Sequence, residues 1–370
     1  MAPTPNHRIL YVKVPGHGLP VEGEHLVYDT DAVIDLDAPL NGGYLTKTLL
    51  LSPEPYMRER LRDPAVQLYS PPMVLGQPMV GNAVVVVLRS EMEGVNAGDY
   101  MAGLSTWEMY TVQPYTGARV NFAEGSFPPY TLNMEILMPL RTVPDPQGAF
   151  PWTCFLTSLG LPGYTAFEGI EKYLKPKEGS AIYVSSGASA VGTMVIQLCK
   201  RRGLRVIASA GSDQKVDHLL ALGADVAFNY KTRSVASALE EYGPLDYYWD
   251  NVGGEQLEAA IGNMQHRGRI MICGAMSEYN VPFEQRYGVK NLSMVFKRRI
   301  TIEGFVCNEV PDAEFYGRFI QEIPPILAEK KLQSEEDLVI GMENGIKAFL
   351  SLFDGTANAK VVVVVDPEYA

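Results

Sequence analysis

Cysteine is scarce in this chain, four residues in 370, and the four (Cys154, Cys199, Cys273 and Cys307) lie far apart with no paired spacing. That excludes a disulfide scaffold and leaves free thiols in a reducing, cytoplasmic setting as the expectation. Long apolar runs are missing as well. The N-terminal MAPTPNHRIL has no apolar core of signal-peptide length, and the five valines from Val361 are too few to cross a bilayer, so a soluble protein is expected. Excess positive charge is absent: 31 Lys and Arg stand against 43 Asp and Glu, a formal net charge of −12. The basic pieces Lys200–Arg202 and Lys297–Arg299 are too short to offset this, which argues against nucleic-acid or anionic-membrane partners. Histidine numbers only five, and GASAVG is no nucleophile elbow, so a Ser-His-Asp hydrolase is not supported.

What is present is an ordinary globular composition, 46% hydrophobic and 20% charged, over a length that accommodates two domains. The stretch Ser180 to Arg202 organises the rest. It reads as a buried strand (Ala181 to Val184), a turn of small residues, and a helix with Val191, Val195, Leu198 and Cys199 at helical spacing. A strand that feeds such a turn into a helix N-terminus presents backbone N–H groups to a dinucleotide pyrophosphate.

Residues 1 to about 125 are β-rich, with strands expected over Arg8–Val14, His25–Ala32, Tyr44–Leu51 and Val80–Leu88 and a short helical turn in PEPYMRERL. Prolines then break the pattern as far as Pro151. From Leu161 a helix is expected to Leu174, after which strands (Ala181–Val184, Leu204–Ser209, Val226–Asn229, Leu245–Trp249, Arg269–Cys273, Ile300–Val306) alternate with helices, as in a covered parallel sheet. The terminal Lys360–Val365 run is expected to return to the first domain. The expected division is therefore 1–160 with 311–370, and 161–310.

LPGYTAFEGI, VSSGASAVGTMVIQLCK, SAGSDQKV, LGADVAFNYKT, YYWDNVGGEQLEAAI, HRGRIMICGAMSEYN and the earlier PYMR occur in order from Pro55 to about Phe305. Together they resemble the zinc-independent medium-chain reductases, and among them the NADPH-dependent alkenal and enone double-bond reductases, which include prostaglandin reductases. The resemblance implies an α/β fold with a Rossmann-type doubly wound parallel sheet domain and a β-rich GroES-like barrel domain. It does not extend to Glu91–Gly94 or Thr116–Gln147, which look elaborated.

In the turn SSGASAVG, Ser186 stands where the family has Ala and Ser189 where it has Gly, and the cost of a positive φ is expected to fall on Ser189. The resemblance assigns Ser189, Ala190, Val191 and Gly192 to the pyrophosphate turn. The next strand ends without an acid until Asp213, which removes the carboxylate that would repel a 2′-phosphate. Gly211, Ser212, Lys215 and Tyr230 match the family's 2′-phosphate contacts, so the implied cofactor is NADPH. Asn251 matches a motif placed under the cofactor, Cys273 and Gly274 one beside the nicotinamide, and Phe305 one near the carboxamide. The family's C-terminal N-x-G-K reads Ala357-Asn358-Ala359-Lys360 here, so its cofactor-contacting Asn is either absent or shifted by one to Asn358. Tyr279 and Tyr56 match aromatic positions at the substrate site, and Arg58 is expected in a structural ion pair.

Zinc-dependent relatives need a Cys, a His-Glu pair and a further Cys or acid, with a four-cysteine cluster for structure. No Cys precedes Cys154, and His7, His17 and His25 lie outside any Gly-His-Glu context, so no metal is expected. The implied reaction is reduction of the C=C bond of an unsaturated aldehyde or ketone by hydride delivery to the β-carbon. A same-fold reductase of quinones, imines or biosynthetic intermediates and a non-catalytic NADPH-binding protein remain as alternatives. A homodimer, pairing along Ile300–Val306, is expected by analogy.

Overall fold

The computed structural model describes residues 3–66, 68–114 and 139–370, so most of the Thr116–Gln147 elaboration lies outside the described residues. Contacts divide the chain into two compact units: Met1–Gly160 with Glu335–Ala357 and Val361–Ala370, and Leu161–Ser334 with Asn358–Lys360.

The first unit is mainly antiparallel. Tyr44–Ser52 pairs with both Val80–Ser90 and Tyr110–Gln113, Val80–Ser90 continues to Tyr100–Thr106, and that strand to Arg141–Val143. The terminal strand Lys360–Val364 joins the other edge of Tyr44–Ser52. Its valines Val361 to Val364 are all buried, which explains why the run shows no alternation: both faces are covered. The core gathers Ile9, Leu26, Leu51, Val85, Trp107 and Phe349.

The second unit holds six strands, all parallel, in the order Val226–Asn229, Arg205–Ala210, Ala181–Val184, Leu245–Asp250, Met264–Ile272 and Thr301–Gly304. Chain order reverses between Ala181–Val184 and Leu245–Asp250, and in such sheets a ligand crevice opens beyond the carboxyl ends of the strands at that reversal. Central-strand residues Ile182, Tyr183, Val184, Tyr248 and Trp249 are fully buried. The two central-strand tyrosines keep their hydroxyls satisfied: Tyr183 stacks on Tyr248 at 4.9 Å and its hydroxyl meets Ser209 Oγ and Gln256 Oε1, each at 2.7 Å, while the Tyr248 hydroxyl donates to Asp250 Oδ1 at 2.6 Å.

Three features of this unit depart from the expected pattern. The Leu161–Leu174 helix is α-helical only over Leu161–Glu168 and continues as a π-helical turn, Gly169–Leu174. There Gly169 passes so close to Trp249 that a Cβ would lie 2.3 Å from its ring. The helix Ala313–Ala328 falls in the second unit, so the return to the first comes at Glu335, not at 311. The reason is aromatic packing: Phe315 and Phe319 contact the rings of Tyr164 and Phe167 at 5.2–6.2 Å between centroids. Finally, Ser293–Arg298 forms a helix of six residues that only half-buries Met294 and Val295 against the core, too short to leave an apolar periodicity in the sequence.

Candidate dinucleotide site

The small-residue turn ends the strand Ala181–Val184 and opens the helix Ala190–Arg201. The left-handed residue is Ser186, with φ of 48°, whereas Ser189 sits in extended backbone at φ −75°. The expected strain at Ser189 is therefore corrected: no Gly is required there, and the strained position lies three residues earlier. Ser189 is the helix N-cap, its Oγ accepting the Gly192 N–H at 3.1 Å. Gly192 is required by contact, because a Cβ would fall 2.5 Å from Ser186 O and 2.6 Å from Gly187 O. With the Gly192 donor capped, Ala190 and Val191 remain as first-turn residues whose N–H groups have no acceptor within a helix, the usual means of holding a phosphate.

One strand away, Arg205–Ala210 ends in Gly211 and Ser212. Ser212 caps the helix Asp213–Ala221 by accepting from the Lys215 N–H at 3.3 Å, which places Lys215 in the first turn. Tyr230, 40% exposed, follows the strand Val226–Asn229 and folds over Gly211: a Cβ on Gly211 would be 3.1 Å from its hydroxyl. Asp213, the only carboxylate in Gly211–Lys215, accepts from Asn229 Nδ2 at 2.8 Å. Gly211, Ser212, Lys215 and Tyr230 thus all stand at the carboxyl ends of adjacent strands.

At the chain reversal a buried polar network joins the strand ends. Asp250, fully buried, accepts through Oδ1 from Tyr248 Oη at 2.6 Å, Gly253 N at 2.8 Å and Val252 N at 2.9 Å, while its Oδ2 has no hydrogen-bond partner among the described residues. Burial pushes this carboxyl up, and the two N–H groups and the phenol partly offset the effect. Asn251 donates Nδ2 to Ser185 O at 2.7 Å and accepts from Trp249 Nε1 at 3.1 Å. Its side chain therefore braces the crevice floor. Gly253 and Gly254 follow at φ of 73° and 52°, conformations that favour the two glycines of DNVGG. Neither Asp250 nor Ser185 was singled out in the sequence; an acid closing the apolar strand YYWD was the available signal.

Cys273 and Gly274 continue from Met264–Ile272, and their N–H groups both donate to Asp250 O, at 2.8 and 3.1 Å. Burial pushes the Cys273 thiol up to about 12, so it is an unreactive neutral group. The Tyr279 hydroxyl hangs over Gly274, 3.4 Å from where a Cβ would stand. Phe305 lies after Thr301–Gly304 and packs its ring on Tyr173 and Trp249 at 5.2 and 5.8 Å. Asn358 is exposed on the link into Lys360–Val364, in the segment grouped with this unit. Tyr56 belongs to the first unit, where it precedes the short helix Met57–Arg60 and packs against the core. Burial raises its phenol, with the Arg60 guanidinium acting in the opposite sense. Arg58, for which an ion pair was expected, donates to the carbonyls of Gly16 and Gly18 at 2.8 and 2.7 Å.

Residues 190–323 match the zinc-binding dehydrogenase family, and residues 30–120 the N-terminal domain of oxidoreductase family. The residues here do not fit the zinc that the first description names. Among the described residues no three of His, Cys, Asp and Glu converge, His7 Nδ1 meets Tyr28 Oη at 2.8 Å, and His25 Nδ1 accepts from Val21 N at 2.9 Å. The chain is 35% identical over 360 residues to a zinc-type alcohol dehydrogenase-like protein of Schizosaccharomyces pombe, covering 95% of each. It is 34% identical over 334 residues to the NADP(+)-dependent 2-alkenal reductase of Nicotiana tabacum, covering 88% of each. The crystal structure of CurA from Vibrio vulnificus in complex with NADPH superposes with a TM-score of 0.80 at 28% identity, over 97% of this chain and 99% of that one. With the strand order and the capped small-residue turn, these likenesses establish that the chain belongs to the NADP-dependent medium-chain dehydrogenase/reductase family of oxidoreductases, beside the alkenal and enone double-bond reductases.

Proposed function

We propose that this chain reduces the C=C bond of α,β-unsaturated aldehydes or ketones, using NADPH and no metal. The observation that carries the reading is the placement of the Tyr279 hydroxyl above Gly274, just past the end of the strand Met264–Ile272 and beside a crevice floor braced by Asp250 and Asn251. NADPH, when bound, supplies the hydride. The residues that would hold it are Ala190, Val191 and Gly192 at the pyrophosphate and Ser212, Lys215 and Tyr230 at the 2′-phosphate. Tyr279 donates its O–H to the substrate carbonyl oxygen and stabilises the negative charge that develops there as the β-carbon is reduced. A proton from solvent or a relay completes the α-carbon.

In the cell the protein is cytoplasmic, in keeping with four free thiols, and it pairs with a second copy of itself. The pairing reading is supported by the edge strand Thr301–Gly304 and by Phe283, Leu292 and Phe296, which are 75%, 55% and 74% exposed.

The test is NADPH oxidation with a panel of enals and enones, with product analysis for the saturated carbonyl. Turnover of an alcohol, quinone or imine in the absence of any enal or enone turnover overturns the assignment. Tyr279→Phe is expected to lower the single-turnover rate by about 10- to 1000-fold, the range for losing an oxyanion donor. An unchanged rate makes Tyr279 a packing residue.

A further inference from the structure

We infer that Lys231 is a second cationic arm for the 2′-phosphate, in addition to Lys215. The inference rests on the NADPH reading above and on the geometry of the turn after the strand Val226–Asn229. That turn is held at several points: Tyr230 N donates to Ala210 O at 3.1 Å, Lys231 N to Asn229 Oδ1 at 3.0 Å, and Arg233 N to Asn229 O at 3.0 Å. The Lys231 side chain folds back across the end of the neighbouring strand, so that a Cβ on Gly211 would lie 3.4 Å from Lys231 Cε, beside the Tyr230 hydroxyl at 3.1 Å. A glycine at that point leaves room over the strand end that both side chains border.

The surrounding cations are committed elsewhere. Arg233 pairs with Glu241 and donates to Tyr242 Oη, Lys200 pairs with Asp225, and Arg205 donates to the Tyr242 carbonyl. Among the described residues the Lys231 ammonium has neither a carboxylate partner nor a hydrogen-bond acceptor, and it is exposed. The nearby acid, Asp213, is engaged by Asn229 Nδ2 at 2.8 Å, so one asparagine fixes both the acid and the main chain of the lysine. A dianionic phosphate ester over Gly211 is the chemistry such a corner selects, with two ammonium groups, a phenol and a helix N-terminus as donors.

Isothermal titration calorimetry of the wild type, Lys231→Ala, Lys231→Arg and Lys215→Ala with NADPH, NADH and adenosine 2′,5′-bisphosphate tests this. Lys231→Ala is expected to weaken NADPH and the bisphosphate by about tenfold or more, the worth of a charge-assisted hydrogen bond, with NADH within about twofold and Lys231→Arg close to wild type. An unchanged NADPH affinity in Lys231→Ala, or an equal loss for NADH, overturns the inference. If Lys215→Ala alone loses the preference for NADPH, Lys231 is excluded while the cofactor reading stands. A wild-type chain that binds NADPH and NADH alike overturns both.

Discussion

Gly192 shows how tightly single residues are constrained at this site. Its Cα faces the carbonyl oxygens of Ser186 and Gly187, and a methyl group would meet both below 3 Å. Backbone cannot yield as a flexible side chain does, so Gly192→Ala must displace either the turn or the helix start. It is expected to cost about 1–3 kcal/mol, the range for overpacking, and to weaken NADPH by at least about tenfold. Urea unfolding and a fluorescence titration measure the two effects. A variant with wild-type stability and affinity would mean that the turn is softer than the contacts imply. Ser186, by contrast, carries a left-handed φ that a serine adopts at some cost. The family's Ala at that position would meet the same strain, so the departure in sequence brings no extra penalty.

At the level of elements, the helix Ala190–Arg201 begins with a cap that the family pattern does not supply. Ser189 Oγ accepts the Gly192 N–H, which leaves the preceding donors of the first turn for a ligand. Ser189→Ala is expected to lower unfolding free energy by about 1 kcal/mol, the usual loss of an N-cap, and to leave NADH and NADPH binding changed by the same factor. A selective loss of NADPH would instead give Ser189 a role at the phosphate ester. The sequence exposed this element well, because strand, small-residue turn and amphipathic helix are local patterns. It exposed the π-helical turn at Gly169 poorly, since that geometry answers to Trp249, eighty residues away in the chain. The helix Ser293–Arg298 was illegible for a related reason: at six residues, with only Met294 and Val295 half-buried against the core, it is too short to show a period.

For the whole molecule, several carboxylates are held below their usual range. The Arg8 hydrogen bond lowers Asp29; at Asp225 and Asp366 burial acts upward and is outweighed by Lys200 with the Val206 N–H and by Lys47 with the Glu368 N–H, respectively. A carboxyl with a lower pKa when folded contributes stability above its unfolded pKa, and that contribution disappears as pH falls through the folded value. Thermal unfolding temperature is therefore expected to fall progressively as pH drops below about 4, the ordinary aspartate range. A flat profile from pH 6 to 3 would show that these pairs are energetically idle. Pairing between copies belongs to this scale too. Light scattering is expected to report twice the chain mass, and Phe296→Asp, placed on the exposed patch, is expected to return it to one. A monomeric wild type removes the pairing proposal.

The sequence by itself determined the class of sheet, the location of the small-residue turn between strand and helix and the absence of an acid before Asp213, because each depends on residues close together in the chain. Only tertiary structure decided that Ser186 takes the left-handed conformation and that Ser189 caps the helix. It also decided that Asp250 and Asn251 lock the strand ends together and that Ala313–Ala328 packs with the second unit. Those outcomes rest on partners far apart in the chain, Ser185 with Asn251 and Tyr164 with Phe315, whose meeting depends on the assembled fold.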